Sequence, residues 1–344
     1  MSLKVCCCVY AAILCQFTVV LCCTQSTFEN TRIIALENIV LNGEVTDYNF
    51  FTNMDPDFVV PIRRITGCIT PTDDFEEVVA IQIRNEKVSI FYEGAVQNLP
   101  FLHSLHVESC EVNILKPKAF QSLPSFTSIK IIDNNINSIP ENVFNNLMVK
   151  VLVLTFNNIS YIAPGAFNDM PRLEIINLNN NKLATWNADW FLNCPKVEVL
   201  SVKSNELTTL PARAFRNIEE KLQRIYLAYN NIHYISPRTF TGLRRLADLS
   251  LVKNNITELH DSTFLYLENL KMIDLSETSI SCFPDVLLNS LRPDVLLWVN
   301  NTPLNETCRT SLEEWAKENN NHLTFFKILK RIPTSTAKPN KIRF

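Results

Sequence analysis

The side chains of this chain that could perform chemistry do not form catalytic or metal-binding motifs. His103 and His106 are the closest histidine pair, but residues three apart on a strand lie on opposite faces, so we expect no shared metal ion. After residue 23 there is no G-x-S-x-G, no H-E-x-x-H and no C-x-x-C. The five glycines are scattered and form no phosphate loop. We therefore predict no enzyme activity, no cofactor and no metal site.

The N-terminal residues have the pattern of a secretory signal peptide. Residues 1–23 carry one charge, Lys4, within an apolar stretch that continues to Leu21 and is followed by small or polar residues. This predicts cleavage between Cys22 and Ser26 and an extracellular product; an uncleaved membrane anchor is the alternative. No other apolar run is long enough to span a bilayer. Loss of Lys4 changes the net charge from −3 to −4, which gives no reason to expect a nucleic-acid partner.

The eleven cysteines fall into two groups. Six precede residue 24 and would leave with the signal peptide; the five that remain are Cys68, Cys110, Cys194, Cys282 and Cys308. An odd number in a secreted protein predicts a buried free thiol or a bond to another chain. Cys68 is the first candidate for the unpaired or intermolecular cysteine, so a disulfide-linked oligomer is a possible assembly.

Most of the chain repeats one unit, seen in the stretch LQRIYLAYNNIHYISPRTFTGL from Leu222 to Leu243. Such a unit cannot bury its apolar face alone and must stack on its neighbours. The amide of Asn230 can satisfy backbone groups of its own turn and of the adjacent turn. Stepping by 23 to 25 residues gives the other structural anchor asparagines, Asn134, Asn157, Asn181, Asn205 and Asn254, with Cys110 and Glu86 upstream and Thr278 and Thr302 downstream.

This spacing resembles the leucine-rich repeat superfamily from roughly Phe75 to Thr302. The resemblance implies an α/β solenoid, a horseshoe with a parallel concave sheet and about ten repeats. Prolines between strand and phenylalanine favour an irregular or 3₁₀ convex side. The predicted organisation is a signal peptide (1–23), an N-terminal β cap (24–74), ten repeats (75–302), a C-terminal cap (303–326) and a basic flexible tail (327–344).

The two caps carry local signals. Asn42-Gly43 between β-rich stretches predicts a hairpin in the N-terminal cap. Ser311 and Glu314 have the spacing of a capping box, and Leu312, Trp315 and Ala316 form one apolar face, which predicts a short helix. Cys282 and Cys308 resemble the C-terminal cysteine cap of extracellular leucine-rich repeat proteins, with two cysteines in place of the usual four. The resemblance implies one disulfide between them. Cys110 and Cys194 are expected to be buried thiols.

Four sequons predict N-glycosylation. Their asparagines are Asn158, Asn255, Asn300 and Asn305.

Residues that stacking does not require define a candidate partner surface on the concave face. Early repeats offer polar residues, Gln82, Arg84, His106, Glu108, Lys130 and Asp133, and late repeats offer Asp248, Lys253, Asp274 and Glu277. Strand propensity alone would explain the apolar and aromatic residues between them. Aromatic and arginine side chains on adjacent repeats are also typical of binding hot spots. We predict a partner-binding surface of Val151, Val153, Phe156, Ile175, Arg224, Tyr226 and Tyr229.

These features predict a secreted binding protein for an extracellular protein or glycan. The cap with few cysteines, the N-x-[IL]-x-x-[IL] repeats and the closure C-x-x-x-L-E-E-W-A-K-E-N-N from Cys308 are similar to the mosquito leucine-rich immune proteins. The family implies a role in pathogen recognition and complement-like defence, within innate immunity. No coiled-coil heptads follow the repeats, so the short, coil-less members are the ones that fit. The alternative is an adhesion or signalling ligand resembling small leucine-rich proteoglycans or guidance factors.

Overall fold

The computed structural model describes residues 25–37, 62–71, 75, 77–319 and 321–324. The predicted signal peptide, the Asn42-Gly43 turn and the basic tail lie outside these residues.

One thirteen-stranded sheet runs through the described chain, in the order β2-β1-β3-β6-β9-β11-β13-β14-β16-β18-β19-β20-β21. Its strands, numbered in chain order together with the shorter ones given below, are β1 (Phe28–Glu37), β2 (Ile62–Gly67), β3 (Val78–Arg84), β6 (Ser104–Glu108), β9 (Ser128–Ile132), β11 (Val151–Val153), β13 (Ile175–Asn177), β14 (Val199–Ser201), β16 (Arg224–Tyr226), β18 (Asp248–Ser250), β19 (Met272–Asp274), β20 (Leu296–Trp298) and β21 (His322–Thr324). From β3 onward every neighbouring pair is parallel. The predicted parallel-sheet solenoid of about ten turns is confirmed. The sheet extends one strand beyond Thr302, because β21 adds to its end.

The opposite side of the solenoid is made of short segments. Four two-stranded parallel pairs link neighbouring repeats: β4 (Ile90–Phe91) with β7 (Ile114–Leu115), β5 (Val96–Gln97) with β8 (Phe120–Gln121), β10 (Ser138–Ile139) with β12 (Tyr161–Ile162), and β15 (Thr209–Leu210) with β17 (Tyr234–Ile235). A 3₁₀ helix spans Ala188–Phe191. The α-helices of the described chain are α1 (Asp285–Asn289) and α2 (Glu306–Glu318).

The first repeat has its edge covered by antiparallel strands. β1 pairs with β3, with Ile34 opposite Gln82 and Leu36 opposite Ala80, and β2 pairs with the other side of β1. This satisfies backbone groups that an open edge would leave available for aggregation.

A row of phenylalanine rings in contact with one another joins the repeats through the core. Successive rings lie 5.5–6.2 Å apart, and Trp186 joins the two halves of the row at 6.1 Å from Phe191 and 5.1 Å from Phe215. The row is Phe28, Phe91, Phe120, Phe144, Phe167, Phe191, Phe215, Phe240 and Phe264. Each repeat therefore buries its ring against the next.

The anchor asparagines bond each repeat to the one before it. Oδ1 of Asn230 accepts a hydrogen bond from Leu207 N at 3.0 Å, and its Nδ2 donates to Val202 O at 2.9 Å and Leu227 O at 3.0 Å. All six anchor asparagines are buried. Equivalent bonds occur at Asn134, Asn157, Asn181, Asn205 and Asn254. The predicted role of the amide is confirmed.

The C-terminal helix begins earlier than the sequence indicated. Asn305 is the N-cap of α2, because its side-chain oxygen accepts from Cys308 N at 2.8 Å. The predicted capping box at Ser311 is wrong, since Ser311 lies inside the helix. The predicted apolar face of Leu312, Trp315 and Ala316 is buried, as expected.

The cysteines separate into paired and buried ones. The Cys282–Cys308 disulfide is present, with a Cα–Cα distance of 5.3 Å. Cys110 and Cys194 are free and buried, as predicted. Burial raises the pKa of both thiols, that of Cys194 to about 11.

The expectation that Cys68 is unpaired or links two chains is wrong. Cys68 is in a disulfide bond, and its second sulfur is not among the described residues. The pairing of Phe28 with Gly67 places Cys68 at the start of β1, with its Sγ 3.6 Å from Gln25 O. That strand pairing brings distant parts of the chain together, which the repeat register could not indicate.

Candidate partner-binding surface

The parallel register aligns the predicted strand residues on the face of the sheet that points away from the core, which was predicted to be the concave face. We call it the outer sheet face. Val151, Ile175, Val199 and Arg224 occupy one row across four strands. Val153 and Tyr226 lie in the row two residues further along, with Asn177 and Ser201 between them. The predicted residues thus form two neighbouring groups separated by β14.

Val151 does not belong to the accessible part of this face. It is only 3% exposed, so its inclusion in the predicted partner surface is wrong. Its strand lies between β9 and β13, with Ser128 and Ile175 as backbone partners, and neighbours on both sides remove solvent from a small side chain. Val153, Ile175, Arg224 and Tyr226 are half-buried and remain accessible.

Phe156 and Tyr229 lie just beyond the strands, in what we call the strand-exit row. This row contains the residue directly before each anchor position, and its members have left-handed backbone, with φ of 55° at Phe156 and 58° at Tyr229. Between the acids Asp133 and Glu277 the row reads Phe156, Asn180, Ser204, Tyr229 and Lys253. Phe156 is 56% exposed and Tyr229 is 52% exposed.

This backbone conformation decides between two explanations of the aromatic residues. A left-handed backbone favours glycine, asparagine and aspartate and is unfavourable for bulky side chains. Phe156 and Tyr229 are outside the strands, so strand propensity does not explain them. It remains a sufficient explanation for Val153, Ile175 and Tyr226, which are strand residues.

Two lysines lie against the tyrosines. The Lys203 Nζ is 4.5 Å from the ring centroid of Tyr226, and the Lys253 Nζ is 5.1 Å from that of Tyr229. Both are within cation–π distance. Burial lowers the pKa of Lys203. Lys203 is not among the partner residues predicted from the sequence, although a lysine one repeat before a tyrosine was a usable signal.

Between the two groups, asparagine side chains form hydrogen bonds at the ends of β13 and β14. Oδ1 of Asn179 accepts from Ser201 Oγ at 2.8 Å and from Lys203 N at 2.7 Å. Oδ1 of Asn177 accepts from Asn179 N at 3.1 Å. These bonds fix the backbone that leads to Lys203.

The polar residues of the first repeats form a partly buried cluster. Nε of Arg84 lies 2.6 Å from Oε2 of Glu108, and Nε2 of His106 lies 3.5 Å from the same oxygen. His106 is 8% exposed. Burial, followed by the positive charges of Arg84 and Lys130, lowers the pKa of His106 to about 4. Its imidazole is therefore neutral at pH 7.

The four sequon asparagines differ in accessibility. Asn255 is exposed and Asn158 is half-buried. Asn305 is exposed, and its N-cap bond uses only the oxygen. Asn300 is half-buried, and its Nδ2 donates to Ser276 Oγ at 3.2 Å. Glycosylation at these positions stays a prediction.

Elsewhere on the surface, a hollow of about 820 Å³ is lined by residues that include Pro171, Cys194, Arg216 and Arg244. None of the predicted partner residues lines it. Among the described residues, no three His, Cys, Asp or Glu side chains are grouped as metal ligands. No helix in the same part of the chain is long and apolar enough to cross a bilayer.

Comparison with known proteins identifies the repeats. A Leucine rich repeat family model matches residues 148–207, 195–256 and 244–292. The leucine-rich repeat-containing G-protein coupled receptor 5 of Rattus norvegicus is 39% identical over 72 residues, which cover 21% of this chain and 8% of the receptor. This chain thus matches less than a tenth of that relative's length.

Two solved structures have a similar fold. A chain of the TLR13–ssRNA13 complex has a TM-score of 0.58 and 24% identity, covering 64% of this chain and 32% of that chain. A chain of the octameric complex of Latrophilin 3, Unc5D and FLRT2 (LRR) has a TM-score of 0.55 and 19% identity, covering 73% of this chain and 84% of that chain. At these identities the likeness concerns the fold. By its repeat sequence and by its parallel-sheet solenoid, the chain is a leucine-rich repeat protein.

Proposed function

We propose that the protein is a secreted, non-catalytic binding protein that holds an extracellular protein or glycan on its outer sheet face. The observation that carries this proposal is the pair of exposed aromatic side chains, Phe156 and Tyr229, on left-handed backbone. A bulky residue there costs folding free energy without filling the core. Such a cost at two positions of one surface supports selection for contact with a partner.

The dimensions of the surface suit a protein interface. Phe156 and Tyr229 are three strand steps apart, which is about 14 Å at about 4.8 Å per step. The half-buried residues Val153, Ile175 and Tyr226 lie beside this row. Accessible aromatics with apolar neighbours have the composition of an interface centre.

We propose innate immunity as the setting, on the similarity to mosquito leucine-rich immune proteins. Adhesion or signalling is the second candidate. The fold similarity to a chain from the assembly of Latrophilin 3, Unc5D and FLRT2 favours this second setting. Induction of the transcript by infection would favour the first setting, and constitutive expression in neural or connective tissue would favour the second.

Affinity capture with matched baits tests the binding surface. The bait carrying Phe156→Ala and Tyr229→Ala is compared with one carrying Tyr161→Ala and Tyr234→Ala, whose tyrosines are 57% and 51% exposed and precede buried positions on the opposite side of the solenoid. Partners from extracellular fluid should be lost from the first bait and kept by the second. The opposite pattern would contradict the proposal.

A further inference from the structure

Lys203 and Lys253, which follow β14 and β18, form no ion pair with a carboxylate among the residues that the structure describes. Among the ion pairs of the described residues, Arg84 is paired with Glu108 and Lys150 with Glu174. None of those pairs includes Lys203 or Lys253. Their ammonium groups instead lie against Tyr226 and Tyr229, where they remain available to an anion.

Acidic residues limit this positive region on three sides. Asp133 and Glu277 stand at the two ends of the strand-exit row segment. Asp248 is the backbone partner of Arg224 at the entry of the strands, so we do not count Arg224 as available. The lowered pKa of Lys203 shows that its ammonium is already partly desolvated, which strengthens its attraction to an incoming carboxylate.

An apolar surface lies one strand step from the strand that precedes Lys203 and three strand steps from the strand that precedes Lys253. Val153 and Ile175 are on β11 and β13, and Lys253 follows β18, three strand steps beyond β13. Three steps span about 14 Å, the length of about four residues of extended chain.

We propose that the outer sheet face binds an extended acidic peptide segment of a partner protein, running across the strands. Its apolar side chains contact Val153 and Ile175, and one carboxylate contacts Lys203. A second carboxylate, about four residues from the apolar side chains, contacts Lys253, so that each carboxylate lies beside one of the two tyrosines. A sulfated glycan would satisfy the lysines but has no apolar side chains for the valine and isoleucine. This inference rests on the proposed function and specifies the chemical class of the partner.

A fluorescein-labelled peptide tests this inference by anisotropy. Its two valines are followed by one glutamate about two residues further along and by a second glutamate about four residues further along. The matched peptide has glutamine in place of glutamate. The protein should bind the glutamate peptide on the order of tenfold more tightly at low salt, and the preference should shrink as salt is added. Lys203→Gln with Lys253→Gln should abolish the preference. The matched variant with Lys182→Gln and Lys196→Gln, two exposed lysines outside the strands, should keep it.

Equal affinity for the two peptides, or a preference that survives the Lys203 and Lys253 changes, would overturn the inference. So would lysine-dependent binding of a heparin oligosaccharide without binding of the peptide. Capture of a native partner that needs Phe156 and Tyr229 but is unaffected by the lysine changes would overturn the acidic-peptide assignment alone and leave the proposed function standing.

Discussion

The ammonium nitrogen of Lys203 lies 4.5 Å from the ring centroid of Tyr226, a residue of the next repeat. Lys253 and Tyr229 form a second such pair, with the order of lysine and tyrosine reversed along the chain. The two pairs place cationic and aromatic groups side by side on the outer sheet face. Neither pair is required for stacking, so each can be changed without opening the core.

Tyr229→Ala should weaken binding of the captured partner by about 1 to 4 kcal/mol and leave the thermal midpoint nearly unchanged. The reason is that Tyr229 is half exposed and makes no core contact that the repeat needs. Titration calorimetry with thermal unfolding measures both quantities. Tyr234→Ala and Glu277→Ala are the controls. Gln82, a natural choice from the sequence, is buried and unsuitable. Full affinity in Tyr229→Ala would mean that the aromatic row is not the interface.

Asn230→Ala should destabilise the fold by about 1 to 3 kcal/mol, because Leu207 N would be left buried without its acceptor. Asn231→Ala removes the same amide from the adjacent exposed position and should change the unfolding free energy little. Urea unfolding of both variants measures the difference. Equal midpoints would contradict the bonding role of the anchor asparagines.

Stability should fall as the pH drops from 6.5 to about 4, the folded pKa of His106. In this window the unfolded chain binds a proton that the buried imidazole beside Arg84 and Lys130 does not. The contribution is present above pH 6.5 and amounts to roughly 3 kcal/mol when fully lost. His106→Gln should remove this part of the pH dependence measured by urea unfolding, whereas His233→Gln, at an exposed site, should retain it. An unchanged slope in His106→Gln would contradict the assignment.

Among the four predicted sites, N-glycan occupancy should be highest on Asn255 and Asn305 and lowest on Asn300. The amide nitrogen of Asn300 is half-buried and bonded to Ser276, whereas Asn255 is exposed and Asn305 uses only its oxygen in capping α2. Glycopeptide mass spectrometry of the secreted protein, with Asn→Gln variants at each site, checks this. Full occupancy at Asn300 would show that glycosylation precedes the local fold.

Non-reducing peptide mapping should find Cys282 linked to Cys308, and Cys110 and Cys194 as thiols. Closing the Cys282–Cys308 loop, with a sequence separation of 26, should contribute roughly 3 kcal/mol. Cys308→Ser should lower the unfolding midpoint accordingly, while Cys194 should resist alkylation until unfolding, because burial raises its pKa to about 11. Recovery of Cys282 and Cys308 as free thiols would contradict this pattern.

The sequence by itself determined the solenoid, its period and the anchor asparagines. This was possible because a repeat that buries its apolar face only against its copies must show the same leucine, asparagine and phenylalanine spacing each time. Ile225, Leu227 and Asn230 are buried as that spacing required. The C-terminal helix face of Leu312, Trp315 and Ala316 followed from its periodicity in the same way.

The tertiary structure alone decided which outer residues are accessible and what they touch. Val151 and Val153 are both valines of β11, yet the neighbouring side chains exclude solvent from Val151 alone. The position of Cys68 beside Gln25 depends on antiparallel strands outside the repeat register. The contact between Lys203 and Tyr226 depends on the parallel register and on where each strand ends. The accessibility and the contacts of these side chains depend on residues from other strands. The sequence of one repeat does not specify which residues of the neighbouring strands lie beside it.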